Sequence, residues 1–292
     1  MKAPLNRNPI TWYDFLMGAA SRLKFSFHKK FAVIPGGSEG IGLAVAARLA
    51  ALGADVLIGS RDGAKRDRAL AALEGVRAGG DQMLCAEAMD VADFNSVRQQ
   101  AERIVQRRGA PDFLINCAGF AHPGYLDELD VPALREMMDV NYFGTVHTVK
   151  AFLPAMRRAG RGHIVNVSSV AGYLGLFGYS GYCASKYAVI GFSSALRHEL
   201  RPVGIAVSVL CPANTRTPGL ERENRMKPRE ILELEKKIGT SGAEDVANAL
   251  LRRLPGRGFL IHPTRASRLV YLASRWAPAC VVDFFLRRPD PC

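Results

Sequence analysis

Phe31-Ala-Val-Ile-Pro-Gly-Gly-Ser-Glu-Gly-Ile-Gly-Leu-Ala-Val45 is the stretch that decides how this chain folds. The apolar run Phe31–Ile34 predicts a buried strand. Ile41, Val45 and Leu49 then recur at helical spacing and predict a helix over Gly40–Leu52. Glycines between the two permit a tight turn. They let backbone N–H groups approach a pyrophosphate at a helix N-terminus, where the helix dipole favours negative charge. Gly36, Ser38, Glu39, Gly40, Ile41 and Gly42 are therefore expected cofactor contacts. The spacing is Gly-x-x-x-Gly-x-Gly with no Gly-Lys-Ser/Thr ending, which argues against a nucleotide triphosphatase.

Working outward, short apolar runs alternate with longer amphipathic stretches. Strands are expected at Asp55–Gly59, Met83–Ala86, Phe113–Ile115, His163–Val167, Ile205–Leu210 and Phe259–His262. Helices are expected from near Asp62, over Ser96–Arg108, as one long helix from Pro132 to near Phe152, and over Tyr179–Arg201 and Gly242–Leu254. This alternation predicts an α/β fold of Rossmann type: a single-domain, doubly wound parallel sheet with right-handed crossovers and helices on both faces. The expected domain spans 31–262, between an N-terminal extension, 1–30, and an apolar, basic tail, 263–292.

In the extension, Trp12, Phe15, Leu16 and Ala19 fall at helical spacing before the basic run Arg22–Lys30. A helix packed on the domain and an amphipathic segment on a membrane surface both fit that pattern. Pro212–Thr240 is rich in prolines, glycines and charges and too long for an ordinary connection. It is expected to be a loop-rich cover over the substrate. Leu269–Leu286 is apolar but broken by Arg275, Pro278 and Asp283, so it is expected to lie in an interface or to cap the domain or a dimer.

The 292 residues, 48% of them hydrophobic, suffice for one large core. The net charge of +12 fits a solvated basic surface, an anionic membrane face or a phosphorylated cofactor. No basic run interleaves with aromatics and no zinc-finger spacing occurs, so neither nucleic acid nor a metal is expected. The six cysteines (85, 117, 183, 211, 280 and 292) are dispersed without a Cys-x-x-Cys pair, as in a reducing compartment. Met1–Arg22 lacks the apolar core of a secretory signal, and no window of about 18 apolar residues occurs. The cytoplasm, or the cytosolic face of a membrane, is the expected location.

Individual residues sharpen the chemistry. Arg61, with Lys65 or Ser38, stands after the second strand, where a carboxylate would repel a 2′-phosphate and an arginine attracts it, which favours NADPH over NADH. Asp90-Val91 either places a carboxylate by the adenine amino group or simply leads into a helix. Asn116, Ala118 and Gly119 end the fourth strand at the carboxyl edge, where ligands bind in open α/β sheets. Asn141 interrupts an apolar helix and is expected to have a local hydrogen-bonding task. Tyr182 and Lys186 share one helix face, so the ammonium can lower the phenol's pKa and make it a proton donor, with the Ser169 hydroxyl brought to the same place.

Together these motifs, in this order from Phe31 to about His262, resemble the short-chain dehydrogenase/reductase family. Its Thr-Gly-x-x-x-Gly-Ile-Gly loop matches at Gly36, Gly40 and Gly42, and its Asn-Asn-Ala-Gly at Asn116, Ala118 and Gly119. The resemblance implies an Asn141-Ser169-Tyr182-Lys186 catalytic tetrad. It also implies cofactor contacts from Tyr182, Lys186, Pro212 and Thr215. In that scheme Tyr182 protonates the developing alkoxide, Ser169 binds the carbonyl oxygen and Lys186 holds the nicotinamide ribose. Asn141 holds a water that links Lys186 to solvent. Three departures, Pro35 for Thr, Cys117 for Asn and Ala213 for Gly, touch the loops rather than the tetrad.

Within that family, Thr215–Leu220 and Glu223–Pro228 are similar to the 3-ketodihydrosphingosine (3-ketosphinganine) reductases of sphingolipid synthesis. That similarity implies a lipophilic amino ketone as substrate and a homo-oligomer. Leu220, Met226, Ile231 and Leu234 are candidates for an apolar trough or for ordinary core contacts, and Glu221, Glu223 or Glu230 for a contact with the substrate ammonium or for a solvated helix face. The other readings are a steroid, retinoid or fatty-acyl ketone reductase, and an NADPH-binding regulator or membrane-surface scaffold without catalysis.

Overall fold

Apolar residues at alternate strand positions face opposite sides of a sheet, and here both sides are filled. In a computed structural model that describes residues 25–277 and 280, β1 (Phe31–Pro35) is buried throughout. Ala32 and Ile34 pack towards α1 (Gly40–Ala51), while Phe31 and Val33 belong to the opposite core. Strand β2 (Asp55–Ser60) repeats the pattern, with Val56 and Ile58 on one face and Leu57 on the other. Burial on both faces explains why these strands read as continuous apolar runs.

The remaining strands are β3 (Leu84–Ala88), β4 (Phe113–Asn116), β5 (Gly162–Val167), β6 (Ile205–Leu210), the short β7 (Thr215–Arg216) and β8 (Ser241–Gly242), and β9 (Leu260–Ile261). Seven strands form one parallel sheet in the order β3-β2-β1-β4-β5-β6-β9. The helices that join them are α2 (Gly63–Glu74), α3 (Phe94–Arg108), α4 (Val131–Met138), α5 (Gly144–Ala159), α6 (Ser180–Leu200), α7 (Pro218–Asn224), α8 (Arg229–Ile238), α9 (Ala243–Arg253) and α10 (Arg265–Trp276). Val45 and Leu49 of α1 pack with Val246 and Leu250 of α9 on one face. Phe152 and Met156 of α5 pack with Leu196 and Leu200 of α6 on the other. The fold is the doubly wound α/β sheet expected from the sequence.

Helix starts follow local chemistry. Asp62, Asp93 and Asp130 each accept a hydrogen bond from an N–H of the following turn, so the free donors there are satisfied.

Two expectations are corrected. The long helix expected from Pro132 to Phe152 is two helices joined by a π-turn at Asp139–Phe143, and it continues to Ala159, where Gly160 at φ 62° stops it. The loop-rich cover contains two helices, α7 and α8. Pro218 lies in the first turn of α7, and the Thr217 hydroxyl accepts from Leu220 N–H at 3.1 Å. Pro228 immediately precedes α8, so the prolines that suggested loop instead start helices. The cover is tied at its base, because β7 pairs with β8 through Thr215–Ser241 and Arg216–Gly242.

Of the N-terminal extension, Met1–Lys24 lies outside the described residues, and so do Trp12, Phe15, Leu16 and Ala19. The part that is described packs on the domain: Phe25 and Phe27 lie 6.3 and 5.8 Å from the Phe113 ring. Of the apolar stretch Leu269–Leu286, residues 278, 279 and 281–286 are likewise outside. Among the described residues no helix is long and apolar enough to cross a membrane.

Candidate active site

Strand order reverses between β1 and β4, which opens a crevice at the carboxyl ends of the strands. The turn between β1 and α1 enters it. Gly36 adopts φ 79°, and a Cβ there would lie 2.3 Å from Ala118 N, so a side chain would drive the turn away from the end of β4. Pro35 ends β1, where its missing N–H interrupts little. Its carbonyl accepts from Cys117 N–H at 2.9 Å, and Gly36 N–H donates to Gly59 O at 2.8 Å.

The crevice has a volume of about 700 Å³. Gly36, Ser38, Glu39, Gly40, Ile41 and Gly42 line it from the turn and the start of α1. Arg61 and Lys65 enter from the end of β2 and the start of α2, and Val91, Ala118 and Gly119 from beyond β3 and β4. Ser169, Tyr182 and Lys186 line it from β5 and α6, and Pro212 and Thr215 from the turn after β6.

Asp90, Asn116 and Asn141 are not among its walls. Asp90 Oδ1 accepts from Ala92 N–H at 3.1 Å, and its other oxygen lies 3.8 Å from Arg61 Nη1. Asn116 is buried, donating to Asn166 Oδ1 and accepting from the Thr148 hydroxyl, both at 2.7 Å. It braces β4 against β5 and α5.

Charges cluster at the glycine turn. Glu39 pairs with Lys65 at 3.0 Å and also with Arg222 of α7, a cover residue without a local sequence signal for this contact. Burial works to raise the Glu39 pKa, but hydrogen bonds from Arg222 and Lys65 outweigh it and hold the carboxyl below its usual range. Arg61 is mostly exposed and close only to Asp90 among the described ion pairs.

The four residues expected to act together come from three places in the fold, Tyr182 and Lys186 sharing α6. Asn141 sits in the π-turn, buried. Its amide donates to Phe120 O and Ser185 Oγ, and its Oδ1 accepts from Phe120 N–H, each at 2.9 Å. The side chain thereby fixes the loop after β4 against α6. Ser169 follows β5; its Oγ accepts from Ala171 N–H at 3.2 Å and is hydrogen-bonded to Tyr182. Lys186 is buried and donates to Val167 O at 3.0 Å, with its Nζ 5.6 Å from the centre of the Tyr182 ring. A Cβ at residue 119 would stand 3.2 Å from Lys186 Nζ and 2.9 Å from Asn141 Oδ1, so Gly119 leaves room for both.

Burial lowers the Lys186 pKa from 10.5 to about 8. The Tyr182 phenol is pushed up rather than down. Burial is the largest cause, the Glu223 carboxylate adds to it, and the bond with Ser169 works against it. The expectation of a phenol lowered by Lys186 is therefore not met by the protein's own groups, because burial outweighs the interactions that lower it. Cys117 is pushed up to about 12 by burial, which makes its thiol inert at neutral pH.

From the cover, Leu220, Glu223 and Met226 reach the crevice. Ile231 is buried against Tyr179 and Cys183 instead, and Leu234, Glu221 and Glu230 are not among the walls. Tyr179 and Glu235 also line the crevice, and Lys227 is buried beside them. The sequence reading missed these three. Only the Glu223–Lys227 spacing of four offered a signal.

The family model for short chain dehydrogenase matches residues 30–228. A Danio rerio protein named 3-dehydrosphinganine reductase is 36% identical over 221 residues, covering 75% of this chain and 67% of that one. A Mus musculus 3-ketodihydrosphingosine reductase is 34% identical with the same coverage. Among solved structures, a short chain dehydrogenase/reductase from Burkholderia phymatum in complex with NAD superposes with a TM-score of 0.76. It is 29% identical, covering 92% of this chain and 99% of that one.

Proposed function

The chain belongs to the short-chain dehydrogenase family, an NAD(P)-dependent oxidoreductase acting on C=O and CH–OH groups, and we propose that it reduces 3-ketodihydrosphingosine to dihydrosphingosine with NADPH. The observation that carries this reading is the convergence of Ser169, Tyr182 and Lys186 on the crevice that the glycine turn also enters. The residues present fit a nicotinamide dinucleotide. The side-chain-free turn at Gly36 and the α1 N-terminus suit a pyrophosphate, and the space beside Gly119 suits the nicotinamide ribose near Lys186. Bound there, the cofactor supplies the hydride.

The chain's own groups do the rest. Ser169 and Tyr182 hold the carbonyl oxygen between two hydroxyls, where charge grows only as the reaction proceeds. The Tyr182 phenol is protonated at neutral pH and can give its proton to the developing alkoxide, which is a stronger base than the phenolate. Lys186, its Nζ 5.6 Å from the centre of the Tyr182 ring, would hold the nicotinamide ribose beside Tyr182, and Asn141 keeps the Phe120 loop and α6 aligned around it.

Arg61 carries the NADPH preference. No carboxylate occupies its position at the end of β2, and its exposed guanidinium can pair with a 2′-phosphate, with Lys65 as a second cation. The tail contributes peripheral attachment to an anionic membrane face. Leu269, Leu272 and Trp276 of α10 are exposed, and Arg265, Arg268 and Arg275 accompany them. Co-sedimentation of the full chain with vesicles containing phosphatidylserine tests this; absence of binding at low salt removes it. Sedimentation equilibrium tests the homo-oligomer.

A substrate panel tests the reaction. NADPH oxidation with 3-ketodihydrosphingosine, lost in Tyr182→Phe while NADPH still binds, is the expected result. Turnover of a steroid, retinoid or acyl ketone in its place would assign a different substrate. Undiminished turnover by Tyr182→Phe would remove the catalytic role of the phenol.

A further inference from the structure

A group of charges lines the crevice on the side of the cover, around Glu223. Glu223 ends on the crevice from α7, and Glu235 reaches it from α8. Between them lies Lys227, whose side chain is fully buried (0% exposed), 3.1 Å from Glu223 Oε1 and 2.7 Å from Glu235 Oε2. The Tyr179 hydroxyl donates to Glu223 Oε1 and lies 3.3 Å from Glu235 Oε1. Lys227 also donates to Asn224 Oδ1 at 2.7 Å. Two carboxylates against one buried ammonium leave one negative charge in excess on the crevice wall, where Glu223 and Glu235 are only partly exposed (19% and 16%), and a cation in the crevice would offset it.

The position of that charge is specific. The Tyr179 ring, whose hydroxyl holds Glu223, lies 5.9 Å from the Tyr182 ring, and all three residues line the same crevice. After burial, the Glu223 carboxylate also works to raise the Tyr182 pKa. Glu223 Oε2 is used in neither the Lys227 nor the Tyr179 contact. Lys227 itself shows that a primary ammonium fits between these carboxylates.

We propose that Glu223, held by Lys227 and Tyr179 and backed by Glu235, is the specificity-determining residue for a ketone with a protonated amine on the neighbouring carbon. With the carbonyl oxygen between Ser169 and Tyr182, that ammonium stands two bonds from the reacting carbon. There it meets Glu223 in a charge-assisted hydrogen bond. A neutral ketone of the same chain length leaves the excess charge uncompensated, so the site selects against it as well as for the amine. The inference rests on the amino-ketone reading above and names the part of the site that reads the amine.

Two measurements on the full chain test it. The first compares KM for 3-ketodihydrosphingosine and for its N-acetylated form in the wild type and Glu223→Gln. The amide keeps an oxygen that can accept from Tyr179 and Lys227 but loses the charge. The wild type is expected to favour the free amine. The substitution should raise KM for the amine roughly tenfold or more while leaving KM for the N-acetyl ketone unchanged or lower. Equal losses on both ketones would make Glu223 structural only, and an unchanged KM for the amine would overturn the proposal. The second measures competitive inhibition by a dodecylammonium ion and by dodecanol. Glu223-dependent preference for the ammonium, without turnover of the amino ketone, would retain the cation site and remove the substrate reading. Turnover of the amino ketone with neither preference would remove this inference alone.

Discussion

Lys186→Met should make the folded protein more stable at neutral pH while abolishing turnover. Burial lowers the Lys186 pKa from 10.5 to about 8, and each unit corresponds to about 1.4 kcal/mol. Holding the ammonium therefore destabilises the fold by roughly 3 kcal/mol below pH 8, where it is charged in both states. Removing it also loses the donor to Val167 O and leaves that carbonyl unpaired, a cost of about 1–2 kcal/mol. The net gain expected at about pH 7 is on the order of 1–2 kcal/mol.

The sign with pH follows from proton counts. Between pH 8 and 10.5 the unfolded chain binds the proton and the folded chain does not, so wild-type stability rises with pH across that window. At about pH 9.5 the wild type should have recovered about 2 kcal/mol relative to the variant. Urea unfolding of both proteins without cofactor, at about pH 7 and about pH 9.5, measures this difference directly. A stability difference that stays constant between the two pH values would refute the buried-charge account of Lys186.

Further outcomes follow from other positions. Arg61→Asp should lower the NADPH-to-NADH ratio of kcat/KM by about tenfold or more, because a carboxylate then faces the 2′-phosphate; an unchanged ratio removes Arg61 from that role. His163 is buried and hydrogen-bonded to Ser208 at 2.8 Å, and burial, its largest cause, lowers its pKa from 6.5 to about 4. The unfolded chain takes up that proton first as pH falls, so wild-type stability should drop by roughly 3 kcal/mol between pH 6.5 and pH 4. His163→Gln should flatten that part of the profile. Gly178 adopts φ 68°, and a Cβ there would lie 2.3 Å from Ile231 Cδ1. Gly178→Ala should therefore lower stability by about 1–3 kcal/mol and raise KM by loosening α8, as read by thermal unfolding and steady-state kinetics.

Much of this was legible in the sequence because it is local. Apolar runs bounded by turns mark strands buried on both faces, and three glycines at fixed offsets mark the β1–α1 turn. Tyr182 and Lys186 sit one helical turn apart whatever surrounds them. The long helix through Asn141 was misread because apolar periodicity does not mark a π-turn, and the partners of Asn141 there, Phe120 and Ser185, are distant in the chain. The cover was misread as loop because its prolines and charges carry no instruction about the surface they meet.

By itself, then, the sequence determined the order of strands and helices, the glycine turn and the residue types needed to reduce a carbonyl. Each of these depends on neighbours within a few positions. Only the tertiary structure decided that Lys186 donates to Val167, that Asn116 braces the sheet, and that Glu223, Glu235, Lys227 and Tyr179 meet beside Tyr182. Those contacts join residues far apart in the chain. Their energies depend on burial, which has no value until both sides of the crevice are in place.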